Sequence, residues 1–368
     1  MDFQLNEIKQ VIAKLKPIVN GITPLADAKG ILFKDGKLSA LNYDLFAAIK
    51  VQTGLVQSNE AFIIPHTALD VIAKLTGDTV RIEYIDDVLH ISCGKFKAKY
   101  ATQPAEKFRA FEEADEVIAV AENMNCRLFV GGINKVLYAT ADDEKKGTLC
   151  GVNVVSDGTS ITMTALDGFR AAQSKGIEIK SDVFNTTLGR SFCATLAKIA
   201  GDAENVRLTV LNRSVRVQDD AFEIKGRTLA GQYVDAAQII NSVQPDKSVV
   251  MDSEDIIRAL ELYASAIKGN EAGKNNLIRV KILPDGIVQF AARSELSQFT
   301  YEVGAECSGF TEVFEIGFNA KYIVQAVKAL TGAKQILIKL LNPLKPALIY
   351  DNDKPDDALA LVLPVKIG

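Results

Sequence analysis

Six stretches of this chain place apolar residues three or four positions apart, and between them apolar and polar residues alternate. Ile8, Val11, Ile12 and Leu15 fall on one helical face, as do Ile257, Leu260, Ala264 and Ile267, and again Ile323, Val327 and Leu330. Hairpin signals separate the alternating stretches at Lys34-Asp35-Gly36-Lys37, Ser156-Asp157-Gly158-Thr159 and Pro284-Asp285-Gly286. The pattern predicts an α+β chain in which one helix followed by a β-meander is the recurring unit.

That unit repeats at a fixed spacing. Lys74-Leu75-Thr76-Gly77-Asp78-Thr79-Val80-Arg81-Ile82 matches Lys198-Ile199-Ala200-Gly201-Asp202-Ala203-Glu204-Asn205-Val206-Arg207-Leu208, and Lys328-Ala329-Leu330-Thr331-Gly332 begins a third copy that runs into Ile336-Leu337-Ile338. Asp44-Leu45-Phe46 aligns with Asp167-Gly168-Phe169 at an offset of 123, which is about one third of the 368 residues. Three tandem domains follow, 1–119, 120–247 and 248–368, each holding the helix-plus-meander unit twice. Their expected joints are the acidic stretch Phe111-Glu112-Glu113-Ala114-Asp115-Glu116 and the polar turn Gln244-Pro245-Asp246-Lys247.

Composition narrows the function. At 48% hydrophobic and 24% charged residues the chain is that of a soluble globular protein. It shows neither a run of about 18 apolar residues nor a signal-peptide pattern at its start, so a cytoplasmic location and no membrane contact are expected. The five cysteines are scattered, with no Cys-x-x-Cys spacing, so no disulfide framework, metal site or cofactor is expected. Two histidines, His66 and His90, leave little material for a histidine triad. An enzyme reading would centre on Asp167-Gly168 near Arg170, but no nucleophile with a base lies nearby in sequence, and Gly131-Gly132 falls inside a helix pattern rather than a phosphate loop. No catalytic residue is assigned.

A net charge of −4 gives no general attraction to nucleic acid, so any such contact must come from local segregation of charge. The helix patterns supply it. Those at 126–139, 190–200 and 320–330 carry no acidic residue, and basic side chains on five of the six predicted helices (Lys9, Lys14, Lys74, Arg127, Lys135, Arg190, Lys198, Lys321 and Lys328) are the DNA-contact candidates. Such residues neutralise phosphates without reading bases. Ordinary solvated helix faces would look the same in sequence.

The residues also resemble a known family, the bacterial β sliding clamps, the processivity subunits of DNA polymerase III. Ala165-Leu166-Asp167-Gly168-Phe169-Arg170-Ala171-Ala172, with Leu149-Cys150-Gly151 upstream, resembles the family's Ala-Thr-Asp-Gly-His-Arg-Leu-Ala signature and its Leu-x-Gly. Gly231-Gln232-Tyr233-Val234-Asp235-Ala236-Ala237-Gln238-Ile239-Ile240 is similar to its Gly-x-Phe-Pro-Asp-Tyr-x-Arg-Val-Leu, and Gln103-Pro104-Ala105-Glu106-Lys107-Phe108 to its Leu-Pro-Ala-Glu-Asp-Phe. Phe314-Glu315-Ile316-Gly317-Phe318-Asn319-Ala320 and the terminal Leu361-Val362-Leu363-Pro364-Val365-Lys366-Ile367 match the family's last domain.

The resemblance implies a DNA clamp fold with helices lining a ring and sheets outside. It implies a head-to-tail homodimer around double-stranded DNA, serving a replicative polymerase, a clamp loader and other proteins with clamp-binding peptides. Lys97, Ala98 and Tyr100 would meet the region of Ile267 and Lys268 across the dimer contact. A peptide pocket would comprise Leu149, Leu166, Gly168, Arg170, Ala171, Val234, Gln238 and Ile239, with the terminal Leu361, Val362, Leu363, Pro364, Val365 and Lys366. Where the family has Thr, His, Leu, Pro and Arg, this chain has Leu166, Phe169, Ala171, Val234 and Gln238, so an altered peptide preference is expected. A clamp-fold scaffold that no longer encircles DNA is the competing expectation.

Overall fold

Every third of the chain has the same order of elements: one strand, a helix, four strands, a second helix and three strands. The computed structural model describes all residues except 20–29, 53–59, 112–115, 202, 268–275 and 368, so the acidic joint at 112–115, Asp202 and Lys268 lie outside the described residues. The helices are α1 (Leu5–Val19), α2 (His66–Lys74), α3 (Cys126–Val136), α4 (Arg190–Ile199), α5 (Ala236–Asn241), α6 (Ser253–Ala266) and α7 (Ala320–Ala329). Six coincide with the predicted helices. The short α5 and the strand Glu306–Ser308 are additions to the repeat. The α1 pattern closes as its periodicity requires: Leu5, Ile8, Ile12 and Leu15 are buried, each worth about 1.5–3 kcal/mol over exposure.

Two compact units result, residues 1–130 with 179–229, and residues 131–178 with 230–368. In the first unit, one sheet runs in the order Phe62–Pro65, Gly30–Lys34, Lys37–Leu41, Leu45–Lys50, Phe222–Arg227, Ser214–Gln218, Asn205–Leu211, Val117–Asn125. A second sheet of four strands ends at Phe96–Ala101. In the second unit, Gly151–Ser156, Ser160–Leu166, Arg170–Glu178, Ala358–Val362, Ala347–Asp351, Gln335–Leu340, Lys247–Asp252 and Glu306–Ser308 pair in that order. Its four-stranded sheet begins at the edge strand Gln298–Gly304.

The hairpin signals all mark turns, with Asp35 and Gly36 at φ 51° and 70°, Gly158 at 96° and Gly286 at 86°. One correspondence between repeats shifts by two residues. Asn42 Oδ1 accepts the N–H groups of Asp44 and Leu45 at 2.9 and 2.8 Å. Asp167 Oδ1 accepts those of Phe169 and Arg170 at 2.8 and 3.0 Å, and Ser294 Oγ those of Leu296 and Ser297 at 3.3 and 2.9 Å. The same turn is thus built three times, and Asn42, rather than Asp44, stands where Asp167 does. The cross-strand pairs agree: Leu41 faces Phe46, Leu166 faces Ala171, and Arg293 faces Gln298.

The strand that follows this turn has a consistent neighbour. Leu45–Lys50 pairs with Phe222–Arg227, the last strand of the second third, and Arg170–Glu178 pairs with Ala358–Val362, the last strand of the third. The corresponding strand Gln298–Gly304 ends its sheet, and so does Phe96–Ala101, the last strand of the first third.

Candidate functional site

In the second unit a row of apolar side chains crosses four strands: Leu166 opposite Ala171, Ala171 opposite Leu361, and Leu361 opposite Leu348. Directly opposed residues share one face of a sheet, so the four form a continuous strip. Ala236 and Ile240 of α5, with Val243 and Leu359, pack with this strip, and Leu149, Tyr233 and Tyr350 border it. Asp235 caps α5 by accepting the Gln238 N–H at 3.1 Å. Leu166 N–H is held by the Tyr233 hydroxyl at 3.1 Å, and burial pushes that hydroxyl's pKa up to about 12, so it stays a neutral bridge.

Around the strip, large apolar side chains remain in solvent: Phe169 is 56% exposed, Val234 46%, Ile239 42% and Leu363 37%. Phe169 and Leu363 are neighbours through the Leu363 N–H to Phe169 C=O bond of 2.9 Å. A buried apolar strip edged by exposed apolar residues is the anatomy of a docking face. Gly168, at φ 93°, makes the turn that presents Phe169.

The terminal segment is fixed beside the strip by a close approach. Val365 N–H bonds Gly317 C=O at 2.8 Å, and a Cβ on Gly317 would lie 2.5 Å from Val365 O and 2.9 Å from Ile367. Only glycine admits the chain there. Leu361 and Val362 are buried, Leu363 and Lys366 are exposed, and Pro364 and Val365 are half-buried.

Arg170, expected in the peptide pocket, is held by internal partners. It is 7% exposed, its Nε donates to Asp167 Oδ2 at 3.0 Å and its Nη1 donates to Gln325 Oε1. The guanidinium lies over the rings of Tyr322 and Tyr138 at 4.4 and 5.3 Å. Bonded to Asp167 and Gln325 and packed against two tyrosine rings, it braces the turn. Burial raises the Tyr138 hydroxyl pKa, partly offset by Arg170, so this phenol is neutral. Lys146 Nζ donates to Asp167 C=O at 2.6 Å and sits 5.4 Å from the Phe169 ring centre. Tyr138, Lys146, Tyr322 and Gln325 are the members the motif could not name, because they reach the turn from distant elements.

The basic helix residues divide. Lys9 donates to Leu75 C=O, Lys14 to Ile199 C=O at 3.4 Å, Lys135 pairs with Asp357 at 2.6 Å, and Lys328 with Glu261 at 2.7 Å. These four are partly spoken for within the chain. Lys74, Arg127, Arg190, Lys198 and Lys321 are exposed. No described helix is long and apolar enough to cross a membrane.

Of the dimer candidates, Lys97, Ala98 and Tyr100 lie on the edge strand Phe96–Ala101. Ile267, expected beside the same contact, is 4% exposed and packs in the second unit's core, because it continues the buried stripe of α6 past the helix end.

Comparison with known proteins agrees with this architecture. The family models for the DNA polymerase III beta subunit match here, the central domain at residues 123–235 and the C-terminal domain at 243–366. The Bacillus subtilis beta sliding clamp is 24% identical over 361 residues, covering 95% of this chain and 92% of that protein. The Synechococcus elongatus beta sliding clamp is 24% identical over 347 residues, 90% of this chain and 88% of that one. Among solved structures, a Pseudomonas aeruginosa sliding clamp bound to griselimycin superposes with a TM-score of 0.88 at 19% identity, covering 100% and 99% of the two chains. The Thermotoga maritima DNA polymerase III beta subunit superposes with a TM-score of 0.86 at 19% identity and the same coverage. The clamp fold, the two family-model domains and the near full-length relatives together make this chain a divergent member of the DNA polymerase III beta-subunit family, the DNA sliding clamps.

Proposed function

We propose that two copies of this chain join head to tail as a closed ring around duplex DNA, and that the ring, without catalysing a reaction itself, tethers a polymerase and other proteins through the docking face of the second unit. One observation carries the proposal: the pairing position beside the turn-anchored strand is filled twice within the chain and vacant once. Leu45–Lys50 and Arg170–Glu178 each pair with the last strand of the following third, whereas Gln298–Gly304 and Phe96–Ala101 are both left at sheet edges. A second copy would complete both vacant pairings with the register used elsewhere, placing Lys99 opposite Gln298 and Lys95 opposite Glu302. The repeated order of elements supports three domains near 1–119, 120–247 and 248–368.

Exposed Lys74, Arg127, Lys198 and Lys321 are the residues we assign first to phosphate contact, with Arg190 exposed on the same helix as Lys198, whereas Lys9, Lys14, Lys135 and Lys328 would have to give up internal ties. Partner peptides would place apolar anchors against exposed Phe169, Val234, Ile239 and Leu363 at the rim of the buried Leu166–Ala171–Leu361 strip, with Leu149, Gln238 and Pro364–Lys366 beside them. Leu166 fills the floor where Ala171 opens it, which favours peptides whose anchors differ in size from the family's usual ones.

The test is topological. A particle of twice the 39.9 kDa chain mass that stays on closed circular DNA through moderate salt and slides off once the circle is cut fits the ring. Equal retention on cut and closed DNA would overturn it.

A further inference from the structure

The first unit contains a second copy of the docking architecture, with different side chains on it. The row Leu166, Ala171, Leu361, Leu348 has its counterpart in Leu41, Phe46, Lys225, Arg216: Leu41 faces Phe46, Phe46 faces Lys225, and Lys225 faces Arg216. The backbone bond that places Leu363 also recurs, as Arg227 N–H to Asp44 C=O at 2.9 Å, so Arg227 stands where Leu363 does. A connecting segment, Phe108–Phe111, lies against this face and leaves a hollow on either side of it. One, of about 380 Å³, is floored by Phe46 and Ala48, and the other, of about 120 Å³, lies against Tyr43 and Arg227.

The chemistry of this face is aromatic and basic where the second unit's is aliphatic. Phe46, Phe108 and Phe111 supply apolar surface, and Lys225 sits 5.4 Å from the Phe46 ring centre. Arg227 lies 5.1 Å from the Tyr43 ring centre and 5.6 Å from that of Phe111. Four cations, Lys34, Lys37, Arg109 and Lys225, line the larger hollow against two carboxylates, Asp35 and Glu223. Glu223 is already shared between Lys225 at 3.3 Å and Arg216 at 3.7 Å. In a chain of net charge −4, the residues that line this apolar slot are thus net positive.

We propose that this face is a second docking site, for an extended acidic segment of a partner protein that buries one aromatic or large apolar side chain against Phe46 and lays its carboxylates along Lys34, Lys37 and Arg109. Charge complementarity selects the acidic segment, and the apolar floor selects the anchor. A nucleic-acid strand fits less well, because Asp35 and Glu223 would face its phosphates and the hollow holds one or two side chains rather than a run of bases. The inference rests on the proposed clamp function only for the choice of peptide as ligand.

The probe is a fluorescein-labelled peptide, Gly-Asp-Glu-Leu-Phe-Asp-Glu, titrated against the full chain by fluorescence anisotropy. Its neutral analogue, with Asn and Gln for Asp and Glu, is expected to bind at least tenfold more weakly. The double variant K34E/K37E, altered at exposed turn-flanking positions, is expected to lose at least tenfold in affinity, and Ile239→Asp in the second unit to change it less than twofold. Failure to bind at millimolar concentration, indifference to K34E/K37E, or loss with Ile239→Asp would each overturn the proposal. So would displacement of the peptide by oligo-dT whose own binding K34E/K37E abolishes. Retention of the unaltered protein on closed circles is scored separately, so a failure of the ring and a failure of this site give different results.

Discussion

Replacing Arg170 by Leu tests whether this side chain braces the turn or contacts a ligand. The change removes the partner of a buried carboxylate, because Arg170 and Asp167 are 7% and 8% exposed. Breaking a buried pair from one side costs about 3–5 kcal/mol, and the lower end applies because Asp167 Oδ1 keeps its two backbone donors. Asp167→Asn keeps an Oδ1 acceptor for the turn and removes one charge, leaving the guanidinium to Gln325 and two tyrosine rings, for a cost of about 2 kcal/mol. The double variant reproduces what the first unit already uses, Asn42 holding the turn with Leu45 following. It should therefore cost about 3 kcal/mol, against a sum of about 5 for the single changes, a coupling of about 2 kcal/mol. Urea unfolding followed by tyrosine fluorescence measures these costs, with Tyr138 and Tyr322 beside Arg170 two of the chain's nine tyrosines and no Trp to mask them. Additive costs would refute the pairing as the source of stability. If Arg170 only braces, the folded double variant binds a clamp-binding peptide within about threefold of the unaltered protein; a tenfold loss would make Arg170 a ligand contact.

Further consequences can be checked independently. Gly317→Val forces Val365 and Ile367 away, so peptide affinity at the second unit's face should fall at least tenfold, at a stability cost of about 1–3 kcal/mol in calorimetry; unchanged binding would separate the terminal segment from the site. The Tyr233 pKa is raised from 10.0 to about 12 by burial, so its neutral form stabilises the fold fully below about pH 10 and that contribution is lost as pH rises toward 12. Absorbance at 295 nm should accordingly show a late tyrosine class, together with Tyr138, and full ionisation near pH 10 in a folded chain would contradict the burial argument. Reversal of Lys74, Arg127, Lys198 and Lys321 to Glu should weaken DNA association and flatten its salt dependence by roughly 0.9 for each phosphate no longer neutralised, measured by equilibrium titration; an unchanged slope removes these residues from the DNA surface. Lys99→Cys with Gln298→Cys should give a crosslinked dimer under oxidation, whereas Lys99→Cys with Arg293→Cys should not.

Periodicity makes the six long helices and the Asp-Gly turns plain in the sequence, because each is local: a buried stripe every 3.6 residues, or a positive φ that Gly tolerates. The strip Leu166–Ala171–Leu361–Leu348 is legible only through family motifs, because it joins four strands that lie far apart in the chain. Arg170 is visible as a residue but its task is not. A sequence shows an arginine near an aspartate, but not the two tyrosine rings packed against its guanidinium. The two-residue shift between Asp44 and Asp167 has a similar cause. Aspartate stands at both positions and makes them look equivalent, while the turn selects any short side-chain acceptor, and Asn42, Asp167 and Ser294 all qualify.

The edges left open by the repeat carry charges that decide what can fill them. Phe96–Ala101 presents Lys97 and Lys99, with Lys95 just before it, and like-charged ladders make pairing of this edge with its own copy unfavourable. Gln298–Gly304 presents Glu302, itself oriented by Gln289 Nε2 at 3.0 Å, and in the register of the two filled positions Lys95 meets Glu302 directly and Lys97 meets it diagonally. The same lysines that keep one edge from aggregating thus favour the other edge of a second copy. Heterologous pairing of this kind closes only if the rotation it imposes brings the remaining two edges together after one more copy. On the ring proposed above, the two pairings filled within each chain and the two made between copies would be the same kind of step, and the charges on the open edges would set how firmly the ring is shut.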